Sequence, residues 1–361
     1  MFGEKEYLMW LAMLRNIAHH KRDVLLHKFG SAEELFKTPR KTFEQIKGLS
    51  DKNIDELCEN RDSEKLKKYA DRVYNSGVEY IIKGDGIYPE ILREVYDAPF
   101  GLYLKGDKSV LKEKTVSMVG TRKATPYGMA AAEKIAGDFG SKGVVVVSGM
   151  ADGIDSASHR GALKAGGKTI AVLGCGVNVC YPKTNEFLMK RIEENGCVLS
   201  EYPLDEKANG RYFPERNRII AGLSMAVVVV EAMERGGSLI TANLAVDFGR
   251  EVFAVPGSIN SSASKGTNAL IKSGASLMTE ASDAFFAIGI NPEEEKSLAK
   301  EKISLENSEK LVYDCINSGD ASLEEIILKT GLDISEVQLI LLSLEMNGLI
   351  AKLPGAKYQL I

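Results

Sequence analysis

The chain has 361 residues, 44% of them hydrophobic, with a formal net charge of −4. At roughly 100–200 residues per domain, that length suits two or three domains with a sizeable buried core. Near-neutrality excludes a uniformly basic surface, so any contact with nucleic acid must rest on a local patch. No apolar run approaches the ~18 residues of a membrane span. The opening MFGEKEYLMWLAML mixes charges and is not a secretory signal, so the cytoplasm is the expected compartment. The cysteines (Cys58, Cys175, Cys180, Cys197, Cys315) form no Cys-x-x-Cys pair, and no histidine clusters with them, so no metal site is expected.

Residues 1–80 carry apolar side chains at helical spacing in Tyr7–Ile17, Val24–Phe29, Ala32–Phe36 and Leu66–Val73. Glycine turns at Phe29-Gly30-Ser31 and Ile46–Ser50 suit a helix-hairpin-helix (SAM-like) domain that offers backbone amides to phosphates. They suit equally a plain turn with a glycine C-cap and serine N-cap, the simpler reading. Residues 80–110 read as a connector, with a possible strand at Tyr80–Ile82 and punctuation at Pro89, Pro99, Gly101 and Gly106.

From residue 115 short apolar strands alternate with amphipathic helices. The strands are Thr115–Val119, Val144–Ser148, Thr169–Leu173, Val198–Tyr202, Ala226–Val230 and Val252–Val255. Helices follow at Tyr127–Phe139, Ile154–Ala165, Asn185–Glu194, Arg216–Leu223, Ile240–Phe248 and Asn268–Ser273. Wholly apolar strands must be covered on both faces, and the alternation implies a doubly wound parallel sheet. The expected fold is α/β: an extended Rossmann-like, mostly parallel sheet over 81–287, between a helical domain (1–80) and a small C-terminal domain. A charged stretch at 288–308 reads as a linker. Residues 309–361 read as three helices and a hairpin turning at Pro354-Gly355, a winged-helix outline.

Five strand ends run into glycine loops: Gly120-Thr121-Arg122, Ser148-Gly149 leading to Gly153, Gly174-Cys175-Gly176, Gly236-Gly237-Ser238 and Pro256-Gly257-Ser258. Ligands bind at the carboxyl ends of such strands, where glycine lets amides approach an anion and helix N-termini add their dipoles. Two cofactor motifs fail. Gly174–Val179 lacks the third glycine of a dinucleotide fingerprint, and Gly167-Lys168-Thr169 precedes a strand and lacks the P-loop's earlier glycine. No cofactor is expected.

Catalytic groups are few. His159 with Asp155 four residues earlier could be acid–base machinery, but such a helical pair is more often structural. Glu201 and Glu231 follow strands and are the only plausible carboxylate pair, and no nucleophile has an evident base. The basic residues say more. Thr115 to Phe286 holds 18 Lys/Arg against 17 Asp/Glu, yet Arg122, Lys123, Arg160, Lys183, Arg211, Arg216, Arg218 and Lys265 fall in loops or first helical turns. Arg211–Arg218 interleaves three arginines with Tyr212 and Phe213. That mixture suits a single strand, with arginine on phosphate and ring on base, or else a loop whose rings fill the core. The C-terminal domain is a poor DNA reader: residues 304–361 carry four Lys, no Arg and nine Asp/Glu, which favours a protein contact or regulation.

Several motifs then stand in a recognisable order: Val119–Arg122, Ser148–Asp155, His159–Leu163, Ser200–Pro203, Phe213–Leu223, Gly236–Ala242, Pro256-Gly257 and Gly266–Ala275. Together they resemble the DNA-processing protein A (DprA, also called Smf) family, strongly over about 80–286. The resemblance implies a cytoplasmic protein that binds single-stranded DNA, protects incoming strands in natural transformation and recombination, and helps load the RecA recombinase. It implies an extended Rossmann core, a homodimer and no established catalytic activity. The strand-binding pocket would map to Arg122 and to Phe213–Arg218, with weaker carry-over to Arg211. The candidate DNA-binding set is Gly120, Thr121, Arg122, Lys123, Ser148, Gly149, Arg211, Phe213, Arg216, Asn217, Arg218, Gly237, Ser238 and Lys265. No catalytic or metal-binding residue is expected. The alternative is a nucleotide-processing enzyme resembling Rossmann-type phosphoribohydrolases, with Glu201 or Glu231 assisting glycosidic cleavage.

Overall fold

The helical spacing of the first 80 positions becomes six short helices: α1 (Glu4–Met13), α2 (His19–Phe29), α3 (Ala32–Lys37), α4 (Arg40–Glu44), α5 (Asp51–Glu59) and α6 (Ser63–Asn75). The structure is a computed structural model that describes residues 2–290, 307–317, 319, 321–346, 349–353 and 357–360. Gly30 ends α2 in the left-handed region at φ 80°, and the Ser31 hydroxyl accepts from the Glu34 amide to start α3. The Phe29–Ser31 glycine turn is thus a C-cap followed by an N-cap. The helices bury Trp10, Leu11, Leu35, Phe43 and Leu57. Their core continues without a break into Tyr80, Tyr103, Leu173, Ile192 and Val198. Helices and sheet therefore form one unit, Met1–Ile290.

The rest of that unit runs β1 (Glu79–Ile82), α7 (Glu90–Arg93), β2 (Gly101–Gly106), β3 (Thr115–Val119), α8 (Pro126–Ser141), β4 (Val145–Ser148), α9 (Ile154–Lys164), β5 (Thr169–Val172), α10 (Glu186–Glu194), β6 (Gly196–Ser200), α11 (Tyr212–Gly222), β7 (Ala226–Val229), α12 (Gly237–Asp247), β8 (Glu251–Ala254), α13 (Lys265–Lys272) and β9 (Ser276–Leu277). The sheet order is β1-β2-β6-β5-β4-β3-β7-β8-β9. Strands β6 through β9 pair in parallel, and β2 and β1 add antiparallel pairs at one edge. The expected mostly parallel α/β sheet is present. The possible strand at Tyr80–Ile82 is present as β1, and the connector expectation for the rest of 80–110 is corrected: it also holds β2. Gly101 permits that pairing, because a Cβ there would overlap the Tyr80 ring. Three helices also begin three or more residues earlier than expected, α11 at Tyr212, α12 at Gly237 and α13 at Lys265.

Each sheet face has its own apolar layer. Val116, Met118, Val146 and Val228 pack with α8 and α9 residues such as Ile135, Phe139 and Ala157. Val145, Val147, Val172 and Val229 pack with α11 and α12 residues such as Ile219, Ile220 and Ala242. Polar atoms pin α11 to the sheet: Thr115 and Ser117 donate to the Leu223 and Ile220 carbonyls at 2.5 and 2.8 Å.

The second unit contains α14 (Asn307–Asn317), β10 (Ala321–Ser322), α15 (Leu323–Thr330), α16 (Ile334–Met346), β11 (Ile350–Leu353) and β12 (Lys357–Leu360). Its strands order β10-β12-β11 beside a core of Val312, Ile326, Val337 and Leu344. This is the expected three-helix and hairpin outline. The Pro354-Gly355 turn and most of the 288–308 linker lie outside the described residues.

Candidate nucleic-acid interface

The chain leaves β3 in one direction through β4, β5 and β6, then returns beside β3 with β7 and runs the other way. The carboxyl ends of β3 and β7 therefore flank a topological switch point, where open α/β sheets bind ligands. A cavity of about 570 Å³ opens there. It is lined by Gly120, Thr121 and Arg122 after β3, by Met233, Arg235, Gly236, Gly237 and Ser238 after β7, by Phe213, Arg216 and Asn217 on α11, and by Tyr181 from the β5–α10 loop.

Its floor is built by Arg216. The side chain is 4% exposed, and Nη1 donates to the Gly149 carbonyl at 2.7 Å and also to Val172 O. Nε donates to Asn217 Oδ1 at 3.2 Å. Burial lowers the guanidinium's pKa and the charge of Asp155 opposes that; arginine stays protonated at physiological pH. Burial pushes the Asp155 carboxyl up, against the pull of Arg216. Gly149 is squeezed between the two: a Cβ would lie 2.6 Å from Arg216 Nη1 and from Asp155 Oδ2. The next residue, Met150, holds a left-handed φ of 65°, a costly conformation for a side-chain-bearing residue. The β3 loop is fixed from the other side. Thr121 N donates to Glu231 O at 2.8 Å, and the Glu231 carboxylate accepts from Thr125 N and Oγ1 at 2.9 and 2.6 Å.

The lip is a short ladder of flat groups. Arg122 lies 4.8 Å from the Phe213 centroid, and the Phe213 and Tyr181 rings are 5.6 Å apart at 30°. Arg122 is exposed, Phe213 half-buried, and Tyr181 46% exposed, so the ladder reaches solvent. The cavity is also lined by the start of α12, which begins at Gly237 with no side-chain cap, so the positive end of its dipole borders the cavity. Ser238 lines the same end and its buried Oγ has no partner. The charged side chains lining the cavity are Arg122, Arg216, Arg235 and Asp155.

Of the expected residues, Gly120, Thr121, Arg122, Phe213, Arg216, Asn217, Gly237 and Ser238 line this cavity. Others have different places. Lys123 and Lys265 are exposed but do not line it. Ser148 is fully buried and donates to the Met118 carbonyl at 2.6 Å. Gly149 supports Arg216 from beneath.

Arg211 turns to a second cavity, against the helical domain, with its guanidinium 5.2 Å from the Tyr212 centroid; Tyr212 stacks on Tyr202 at 4.1 Å. Arg218 is the clearest correction. It is 4% exposed and its Nη2 donates to both Glu201 oxygens at 2.8 and 2.7 Å. Helical phase explains this, since residues 213, 216 and 217 share a face that residue 218 leaves.

Around Arg218 a buried ion network joins the helical region to the sheet. Arg218 Nε is 3.4 Å from Asp97, whose other oxygen is 2.7 Å from His19 Nε2. His19 is also 3.2 Å from Asp23 and 3.2 Å from Glu201. Burial opposes the charge of His19, but Glu201 and the hydrogen bond with Asp97 raise its pKa overall. Burial pushes Glu201 up, while Arg218 and His19 hold it below its usual range. His19, Asp23 and Asp97 are the group of metal-type donors among the described residues, with ligand atoms within 4.8 Å of one another. Within that group His19 pairs with both carboxylates, and Arg218 pairs with Asp97 as well.

The catalytic candidates are likewise engaged. Glu201 pairs with Arg218, Glu231 holds the Thr125 turn, and neither lines the switch-point cavity. His159 is fully buried against Thr169 Oγ1 at 2.6 Å, and burial pulls its pKa down to about 3. Asp155 instead accepts from the Ala151 amide at 3.3 Å, so the two do not form an acid–base pair. Tyr181 and Arg235 were not expected. Arg235 was legible as a cation just before Gly236-Gly237; Tyr181 sits in an aperiodic loop with no signal beyond its ring.

Residues 79–289 match the family model described as DNA recombination-mediator protein A, and residues 296–356 match the DprA winged helix domain. The chain is 30% identical to Protein Smf of Synechocystis over 99% of both chains. It is 47% identical to DNA processing protein DprA of Streptococcus pneumoniae, covering 55% of this chain and 70% of that one. The crystal structure of the pneumococcal protein superposes with a TM-score of 0.69 at 36% identity, covering 79% of this chain and 98% of the other. DNA processing protein A of Helicobacter pylori, whose structure is described by its single-stranded DNA binding mode, gives a TM-score of 0.52 at 30% identity over 62% and 97% of the two chains.

Proposed function

This chain belongs to the DprA/Smf family of DNA recombination mediators, and we propose that it binds single-stranded DNA in the crevice between the carboxyl ends of β3 and β7. The observation that carries the reading is the ladder of Arg122, Phe213 and Tyr181 at the cavity lip. A single strand exposes both its backbone and the faces of its bases, so a cation beside solvent-reaching rings suits it; in a duplex the faces are stacked away. Arg122 and Arg235 meet phosphates, the amides at the start of α12 meet another, and Phe213 and Tyr181 stack on bases. Arg216 sets the floor and its positive potential. Backbone neutralisation and ring-face stacking carry the binding, and neither depends on base identity, so sequence preference is weak.

The family's wider role fits the same site. A protein that covers strands without cutting them can protect incoming DNA and pass it to the RecA recombinase, and a homodimer would hold two segments with added avidity. We read the protein as non-catalytic, because the carboxylates that would serve hydrolysis are engaged in structural bonds.

The test is fluorescence anisotropy with a labelled oligonucleotide, single-stranded and duplexed, across a salt series. The expected result is tighter single-strand binding that weakens steeply with salt, and a marked loss in Arg122→Ala. Equal affinity for duplex, or no salt dependence, would overturn the reading.

A further inference from the structure

In DNA-reading winged helices, the helix that enters the groove brings Arg, Lys or Asn to bases and phosphates. The corresponding helix here, α16, has no lysine or arginine. Val337, Ile340, Leu341 and Leu344, spaced i, i+3, i+4 and i+7, face the core. Glu336, Leu339, Leu342 and Glu345 follow one another at three-residue intervals, forming a single row on the solvent side. Leu339 is 69% and Leu342 54% exposed. One exposed leucine is ordinary; two adjacent on a row closed at each end by a carboxylate form an apolar strip with acidic ends.

We propose that this row is a docking site for a cationic amphipathic helix of a partner protein. The two leucines would enter the partner's apolar stripe, and Glu336 and Glu345 would face lysines or arginines at its margins. Charge selects this occupant. Residues 304–361 carry nine Asp/Glu against four Lys, so the surrounding field attracts cations and repels nucleic acid. A second copy would set the same carboxylates against each other, which disfavours self-pairing.

The experiment uses the full chain and two fluorescein-labelled peptides of identical Lys/Leu composition, one patterned as an amphipathic helix and one scrambled to lose the pattern. Leu339→Ser/Leu342→Ser is the principal variant. Both side chains are exposed, so thermal melting and single-strand affinity should match the parent. The proposal expects the patterned peptide to bind about tenfold or more tightly than the scrambled one, since only the patterned one can bury the two leucines against an apolar stripe, and expects the double variant to erase that difference. Glu336→Gln/Glu345→Gln should weaken the patterned peptide and reduce its salt dependence. Equal binding of the two peptides, or an unchanged difference in the leucine variant, overturns the proposal. So does a fall in oligomeric mass of that variant by light scattering, which would make a second copy the occupant. A loss of duplex DNA affinity in that variant also overturns it.

Discussion

The guanidinium of Arg122 lies over the ring of Phe213, 4.8 Å from its centroid, although β4, β5 and β6 separate the two in sequence. Their tasks on a strand differ, and salt tells them apart. Neutralising one phosphate of a single strand contributes about 0.7 to the slope of log affinity against log salt. Arg122→Ala should flatten that slope by roughly this amount. Phe213→Ala should weaken binding by ~1–3 kcal/mol and leave the slope unchanged. Anisotropy titrations over a potassium chloride series measure both; a slope change confined to the Phe213 variant would reverse the assignment.

Tyr181 extends the ladder by one ring, 5.6 Å from Phe213. Tyr181→Ala should lose a stacked base, again ~1–3 kcal/mol, while Tyr181→Phe should retain it because stacking needs the ring and not the hydroxyl. The same titration decides. A loss in Tyr181→Phe as large as in Tyr181→Ala would assign the residue to hydrogen bonding instead.

Gly149 tests the floor. A Cβ would approach Arg216 Nη1 and Nη2 and Asp155 Oδ2 to 2.6 Å. The arginine is tied to two carbonyls and has little room to retreat. Gly149→Ala should therefore destabilise the protein by about 1–3 kcal/mol, in the range of overpacked cores, and weaken single-strand binding in the fraction that folds. Urea unfolding beside anisotropy checks both effects. An unchanged midpoint would show that the loop yields.

The sheet was legible because its strands are apolar throughout and bounded by glycine, a pattern with few alternatives. Strand β2 was not: Gly101 and Gly106 punctuate it as they would a loop, and only its pairing with β1 and β6 makes Leu102–Leu104 a buried strand. The crevice was legible as glycine loops on one sheet edge. What could not be read was side-chain direction along Arg211–Arg218. The run looks like one basic patch, yet helical phase sends Phe213 and Arg216 to the crevice, Arg218 to Glu201, and Arg211 to the helical domain. The helix was expected only from Arg216, so the helical turn that begins at Tyr212 and places Phe213 beside Arg216 was not read.

That phase makes a stability prediction. Glu201→Ala would leave the Arg218 charge buried with only Asp97 and a destabilised His19 beside it. Breaking a buried pair from one side costs about 3–5 kcal/mol, whereas replacing both partners with apolar residues costs much less. Glu201→Leu with Arg218→Met should therefore be more stable than Glu201→Ala by chemical denaturation, with single-strand affinity near the parent's because neither residue lines the crevice. A large affinity loss in the double variant would tie the network to the binding site.

His19, partly buried, and His159, fully buried, should bend stability in opposite directions with pH. His19, held by Glu201, Asp97 and Asp23 against the effects of burial and Arg218, has its folded pKa raised. Its contribution is fully present below the unfolded value of about 6.5 and is lost as pH rises through the folded pKa. His159 is buried neutral, its folded pKa pulled down to about 3. Its contribution is present above about 6.5 and is lost as pH falls, at ~1.4 kcal/mol per pH unit for one proton. Urea midpoints at pH 5, 6.5 and 8 should peak at the middle value. His19→Gln should flatten the alkaline limb alone, and His159→Asn the limb between pH 6.5 and 5, which lies above the usual range of the carboxylates. A His19→Gln variant that keeps the full alkaline decline would mean that the network holds this histidine neutral, with Arg218 alone balancing Glu201 and Asp97.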